Sequence, residues 1–153
     1  MTPTIHQTST ITRAAIIVEA RTWIGTPYRH QASLRDVGCD CLGLVRGVWR
    51  ALHGEEPERA PPYAPDWAEA AAGEPLADAA ARHLIAITRE DCSAGNVILF
   101  RWRTGLAAKH LAITTPNDRM VHAHEGAAVT EVALAPWWRR RVAYAFRFPG
   151  VCD

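Results

Sequence analysis

No apolar run in this chain approaches the roughly 20 residues needed to cross a bilayer, which excludes a helical membrane span. The first ten residues hold no apolar segment ahead of a small-residue cleavage site, so no secretory signal is expected. Charge of one sign is also missing. Lys+Arg 17 against Asp+Glu 16 leaves a formal net charge of +1, which offers nothing to nucleic acid or an anionic membrane. Cysteine is scarce, at 4 in 153 residues. Cys39 and Cys41 are too close for an ordinary disulfide, and without a secretory signal reduced thiols are expected, with Cys92 and Cys152 as incidental thiols. There is no internal repeat. Apolar residues are not scarce: 48% of the chain argues against disorder, and the length suits one domain over residues 1–153.

The pattern changes along the chain. Residues 11–23 read as an amphipathic helix capped by Thr10 and ended before Gly25. A polar loop over residues 29–38 follows. A second helix is expected from Cys41 to His53, closed by Gly54. Leu42, Val45, Trp49 and Leu52 fall on one face, with Cys41, Leu44 and Val48 beside it. Gly43 and Gly47 weaken such a helix by about 1 kcal/mol each, so their place on one face implies a neighbour packed very close. Residues 55–73, rich in Pro and Ala, read as a surface excursion with a short helix near Asp66. A helix from Pro75 to about Ile87 comes next. Beyond Gly95 the period becomes that of strands, at residues 96–101, 108–115, 119–123, 129–134 and 142–148, with a hairpin turn at Thr115-Pro116-Asn117-Asp118. Helices first and about five antiparallel strands second make an α+β domain. In Trp137-Trp138-Arg139-Arg140-Arg141 the tryptophans are expected to be partly buried and the arginines solvated.

The segment Gly38-Cys39-Asp40-Cys41-Leu42-Gly43-Leu44-Val45 carries the chemistry. Asp40 suits an N-cap, which puts Cys41 in the first helical turn. There the helix dipole and unpaired N–H groups favour thiolate, the form that attacks carbonyls. His110 opens an alternating strand and can serve as base. His122, on the next strand, can orient it, with His124 as the alternative third residue. The backbone N–H of Cys41 is an oxyanion donor by position, and Tyr28 can add its hydroxyl. Pairing of Cys41 with a histidine lowers a thiol pKa, so activity is expected to persist below neutral pH.

These residues resemble the NlpC-type cell-wall cysteine peptidases, relatives of papain. The likeness lies in Asp-Cys-x-Gly-Leu-Val at 40–45, His-Leu-Ala-Ile at 110–113, Val-His-Ala at 121–123 and Gly25-Thr26-Pro27-Tyr28. Ala94-Gly95-Asn96-Val97 is similar to the start of a family strand, with Asn96 in place of aspartate. The resemblance implies a papain-like α+β fold with no cofactor, Cys41 as nucleophile, His110 as base and His122 as third residue. It places Tyr28 near the oxyanion and Asp40 near the free amine of a peptidoglycan stem peptide, cut between D-glutamate and the diamino acid. Leu42 stands where the family commonly has serine. The Gly-Cys-Asp-Cys run and the proline-rich excursion resemble the phage and gene-transfer-agent branch. That likeness implies synthesis in the cytoplasm, incorporation in a phage-like tail and a docking partner among tail-tip or hub proteins. A tail component with the same fold and no turnover is the non-enzymatic alternative.

Zinc is the rival chemistry, since Cys39, Cys41, His122 and His124 offer two thiolates and two imidazoles. Two substitutions separate the readings. Nucleophilic catalysis predicts that Cys39→Ala stays active and Cys41→Ala stays folded but inert in a cell-wall digestion assay. Zinc predicts that Cys39→Ala loses bound metal, measured by atomic absorption, together with thermal stability.

Overall fold

A computed structural model describes residues 11–58, 73–91 and 93–153. Most of the 55–73 excursion, the helix expected near Asp66, and Cys92 lie outside the described residues. Helix α1 is Arg13–Thr22, and its cap is Thr12, whose Oγ1 accepts from the Ala15 N–H at 3.0 Å, rather than Thr10. It buries Ile16, Ile17 and Ala20. Residues 29–38 are not all loop. Strands β1 (Ser33–Leu34) and β2 (Gly38–Cys39) form a small antiparallel hairpin around Asp36, at φ 67. Two residues per strand are too few to give a readable alternation.

Helix α2 is Cys41–His53, ended by Gly54 at φ 82. Leu44, Val45 and Val48 are buried, and Leu42, Trp49 and Leu52 pack against the same core. The two glycines answer to close neighbours. A Cβ at Gly47 would collide with the indole of Trp23, the residue that ends α1, and one at Gly43 with the backbone carbonyl of Ala32. The whole N-terminal half of α2 is therefore pressed against α1 and the hairpin, which gives Cys41 little freedom to move.

The strands form a six-stranded antiparallel sheet rather than five. In chain order they are β3 (Ile85–Ile87), β4 (Asn96–Phe100), β5 (His110–Thr115), β6 (Arg119–His122), β7 (Thr130–Ala133) and β8 (Val142–Arg147), and across the sheet they run β3-β8-β4-β5-β6-β7. The extra strand is a correction at the end of helix α3 (Pro75–His83). That helix stops short of the expected Ile87, because Ile85-Ala86-Ile87 pairs with Ala145, Phe146 and Arg147 on β8. Cross-strand pairing supplies the apolar segment with partners that continuing the helix would not. The β5–β6 hairpin turns where expected, with Asn117 and Asp118 at φ 64 and 55.

Every residue of β4 and β5 is buried, as in a strand covered on both faces. Val97, Leu99, Leu111, Ile113 and Val121 face α1 and α2. Ile98, Phe100, Ala112 and Met120 face the other way, beneath Leu134 and Trp138, the latter on the short helix α4 (Pro136–Arg139). Asn96 sits at the helix–sheet junction. Its Oδ1 accepts from Arg13 of α1 at 2.8 Å, and its N–H bonds Thr114 Oγ1 at 2.9 Å. The asparagine thus fills a polar position that is 0% exposed.

Gly47→Ala is expected to destabilise the fold by about 1–3 kcal/mol through overpacking against Trp23, read as a lower urea midpoint with an unchanged slope. Gly43→Ala should cost more, because the obstructing Ala32 carbonyl is backbone and cannot swing aside.

Candidate active site

The site starts from a buried carboxylate. Asp40 is 2% exposed. Its Oδ1 accepts from the Gly43 N–H and its Oδ2 from the Gln31 N–H, each at 2.7 Å. One bond caps α2 and the other ties the preceding loop to it. With both oxygens held by backbone donors, Asp40 sets the position of Cys41. Cys39, on β2, is wholly buried and bridges to Tyr28.

Cys41 meets the backbone on either side of the start of β5. Its Sγ lies 3.8 Å from the Lys109 carbonyl oxygen, and the Leu111 N–H is directed at it from the other side of His110. Burial pushes the thiol up to about 12, the Asp40 charge adds to this, and the N–H groups of Leu111, Leu42 and Cys41 itself pull down by less. Desolvation therefore outweighs the helix terminus, the opposite of the direction expected from the sequence. Tyr28, half-buried, is also raised, first by burial and then by Cys41, Asp40 and Glu125, which places its hydroxyl in the same electrostatic neighbourhood.

His110 and His122 are each 4% exposed. His110 Nε2 and His122 Nδ1 are hydrogen-bonded at 2.9 Å. This leaves Nδ1 of His110 as the nitrogen free to exchange a proton. Burial, with the like charges of His122 and His124, holds His110 well below the usual imidazole range. Burial and then His124 lower His122 to about 4. Both imidazoles, like the Cys41 thiol, are thus uncharged at neutral pH. His124 lies past the end of β6 and is exposed. Its ring stacks on His122 at 5.7 Å and meets His110 edge-on at 5.5 Å. Among the described residues no group of three or more His, Cys, Asp or Glu side chains is arranged to hold a metal ion, so the four donors of the zinc alternative do not converge.

Sequence reasoning missed the aromatic side chains of the site. Trp102, in the loop between β4 and β5, stacks on His110 at 5.4 Å. Trp138 meets His122 at 5.2 Å, His110 at 5.7 Å and His124 at 5.9 Å. The Trp-Trp-Arg-Arg-Arg run was visible, but nothing in it discloses that α4 folds back over the imidazoles.

A cysteine heading a helix, packed on an antiparallel sheet that carries paired histidines, defines the papain-like α+β class. The model of the NlpC/P60 family matches residues 25–147, and the chain belongs to that family. Solved structures share the fold. The NlpC/p60 domain of the peptidoglycan hydrolase SagA is 23% identical, with a TM-score of 0.59 over 90% of this chain and 100% of that one. An NlpC/P60 family protein from Bacillus cereus ATCC 10987 is 20% identical, with a TM-score of 0.65 over 91% of this chain and 41% of the other. A protein similar to lipoprotein, of the NLP/P60 family, from Staphylococcus aureus subsp. aureus Mu50, is 21% identical, with a TM-score of 0.59 over 95% and 45%. The chain spans less than half the length of these last two. Comparison with curated proteins gives no match.

The depressed histidines make stability pH-dependent. An unfolded histidine titrates near 6.5, so below that pH the unfolded chain takes up protons that the native site resists. Their contribution is complete above pH 6.5 and falls as the pH drops toward 4. Urea unfolding at pH 7.5 and 4.5 is expected to show a loss of about 2–3 kcal/mol from His122 alone, with a shallower dependence in His122→Gln.

Proposed function

We propose that the chain is a thiol-dependent peptidoglycan hydrolase that cuts the stem peptide, with Cys41 as nucleophile, His110 as base and His122 as the residue that orients it. The observation that carries this reading is the 2.9 Å His110–His122 bond beside the β5 backbone on which the Cys41 sulfur rests, in a chain of the NlpC/P60 family. With His122 Nδ1 as acceptor, His110 carries its proton on Nε2 and keeps the Nδ1 lone pair for the thiol proton.

The reaction starts from the neutral pair. His110 takes the proton as the Cys41 sulfur attacks the carbonyl carbon, and the imidazolium formed is steadied by His122. The oxyanion meets the Cys41 N–H and the Tyr28 hydroxyl. His110 returns the proton to the leaving amine as the C–N bond breaks. Water, deprotonated by the same nitrogen, then releases the acid from the thioester and restores the thiol. Asp40 contributes as the cap that holds Cys41. The bond between D-glutamate and the diamino acid is the target that the family likeness supports. The likeness of residues 38–45 to the phage-associated branch supports a place in a phage-like tail, which co-purification of a tail-tip protein would test.

Cys41→Ala and His110→Ala are each expected to lower kcat by about a thousandfold or more, and the double variant by no further large factor, since the two groups act as a unit. Mass spectrometry of muropeptides after digestion names the bond. Iodoacetamide should abolish activity, at a rate that keeps climbing beyond pH 8.5 because burial holds the thiol up. A rate that levels off below neutral pH would identify a standing ion pair instead.

A further inference from the structure

Trp137 is 46% exposed, while the other exposed large hydrophobic side chains among the described residues are aliphatic. It is not a loose surface side chain. The Arg141 guanidinium lies 3.7 Å from its ring centre. The same arginine donates to the Trp137 carbonyl at 2.8 Å and to the Trp102 carbonyl at 3.2 Å. Trp138 meets the Trp137 ring edge-on at 4.8 Å. The exposed indole is thus braced from several sides, and a braced aromatic loses little freedom when something binds it.

This indole is also continuous with the imidazoles. Trp137 lies 6.3 Å from Trp102, and Trp102 lies 5.4 Å from His110 and 5.9 Å from His124. An aromatic path therefore leads out from the proposed base to the surface. The amino acids flanking the proposed cleavage point would sit at Cys41 and His110, two ring-to-ring steps short of the Trp137 indole. Two amino acids back along the stem, beyond one short lactyl link, lies an N-acetyl aminosugar, whose ring C–H groups and acetyl methyl are apolar. That connection spans about 10 Å at 3.3–3.6 Å per residue, close to the reach of the two ring-to-ring steps.

We propose that Trp137, braced by Arg141 and continued by Trp102, is a subsite for the N-acetyl aminosugar of the glycan strand, so that the chain acts on stems still attached to glycan rather than on free peptide. This rests on the stem-peptide reading above and adds the part of the substrate that the reading leaves open.

The test measures affinity without turnover. The full chain carrying Cys41→Ala is titrated by calorimetry with a free stem tetrapeptide and with the same stem on one disaccharide of N-acetylated aminosugars. The glycan-linked stem is expected to bind at least tenfold more tightly. Adding Trp137→Ala should bring the two affinities within about twofold, and Trp137→Phe should keep most of the difference. Equal affinities in the Cys41→Ala chain overturn the proposal, whatever the variants do. An equal weakening of both ligands by Trp137→Ala overturns it as well, because that is the mark of a structural role. The unsubstituted chain is assayed for cleavage alongside. Failure to cut either stem refutes the hydrolase reading, while the affinity comparison still decides for or against the sugar subsite.

Discussion

The rest of the structure depends on one buried carboxylate. Asp40 spends its two oxygens on two backbone N–H groups, that of Gly43 inside α2 and that of Gln31 in the loop before it. Hydrogen bonds to a charged group are worth about 1.5–3 kcal/mol each, and leaving a buried acceptor without them would cost at least as much. The helix can therefore begin only at Cys41, and only where the loop is already folded. Gly43 and Gly47 fix the rest of the placement by letting α2 approach the Ala32 carbonyl and Trp23 more closely than any side chain would allow.

The same closeness explains the electrostatics. A helix N-terminus lowers a thiol pKa only to the extent that the thiol remains solvated or paired with a charge. Here α2 is driven so firmly against β5 that desolvation dominates, and the thiol rises. The imidazoles are desolvated by the same packing and fall. Both shifts favour the uncharged forms at rest. In the proposed reaction charge develops only as the sulfur attacks, and the N–H donors around it serve that charge without reorganising.

The aromatic residues give the site its second layer. Trp102 and Trp138 come from two separate connections, one after β4 and one after β7, and both close on the imidazoles. Phe100 lies beneath, 5.8 Å from His110 and 5.0 Å from Trp138. The face of the sheet away from α1 and α2 is thus covered at this end by rings, one of them carried on the short helix α4. This keeps the His110–His122 bond dry while Trp137 and His124 remain at the rim.

Much of this was legible in the sequence, because it depends on near neighbours along the chain. The Asp40 cap, the α2 stripe, the Asn117-Asp118 turn and the alternation of β5 and β6 are local patterns, and they bring His110 and His122 into adjacent strands without any knowledge of the whole. The resemblance of residues 40–45, 110–113 and 121–123 to the family supplied the fold. What local pattern could not supply was decided by contacts between distant segments. Residues 85–87 leave their helix because β8 offers an edge. Both oxygens of Asp40 are claimed by a loop and a helix at once. Trp102 and Trp138 meet at the imidazoles from positions far apart in the chain. The direction of the thiol shift belongs to this second group: a helix start can be read from a few residues, but the water excluded from it depends on everything packed around it.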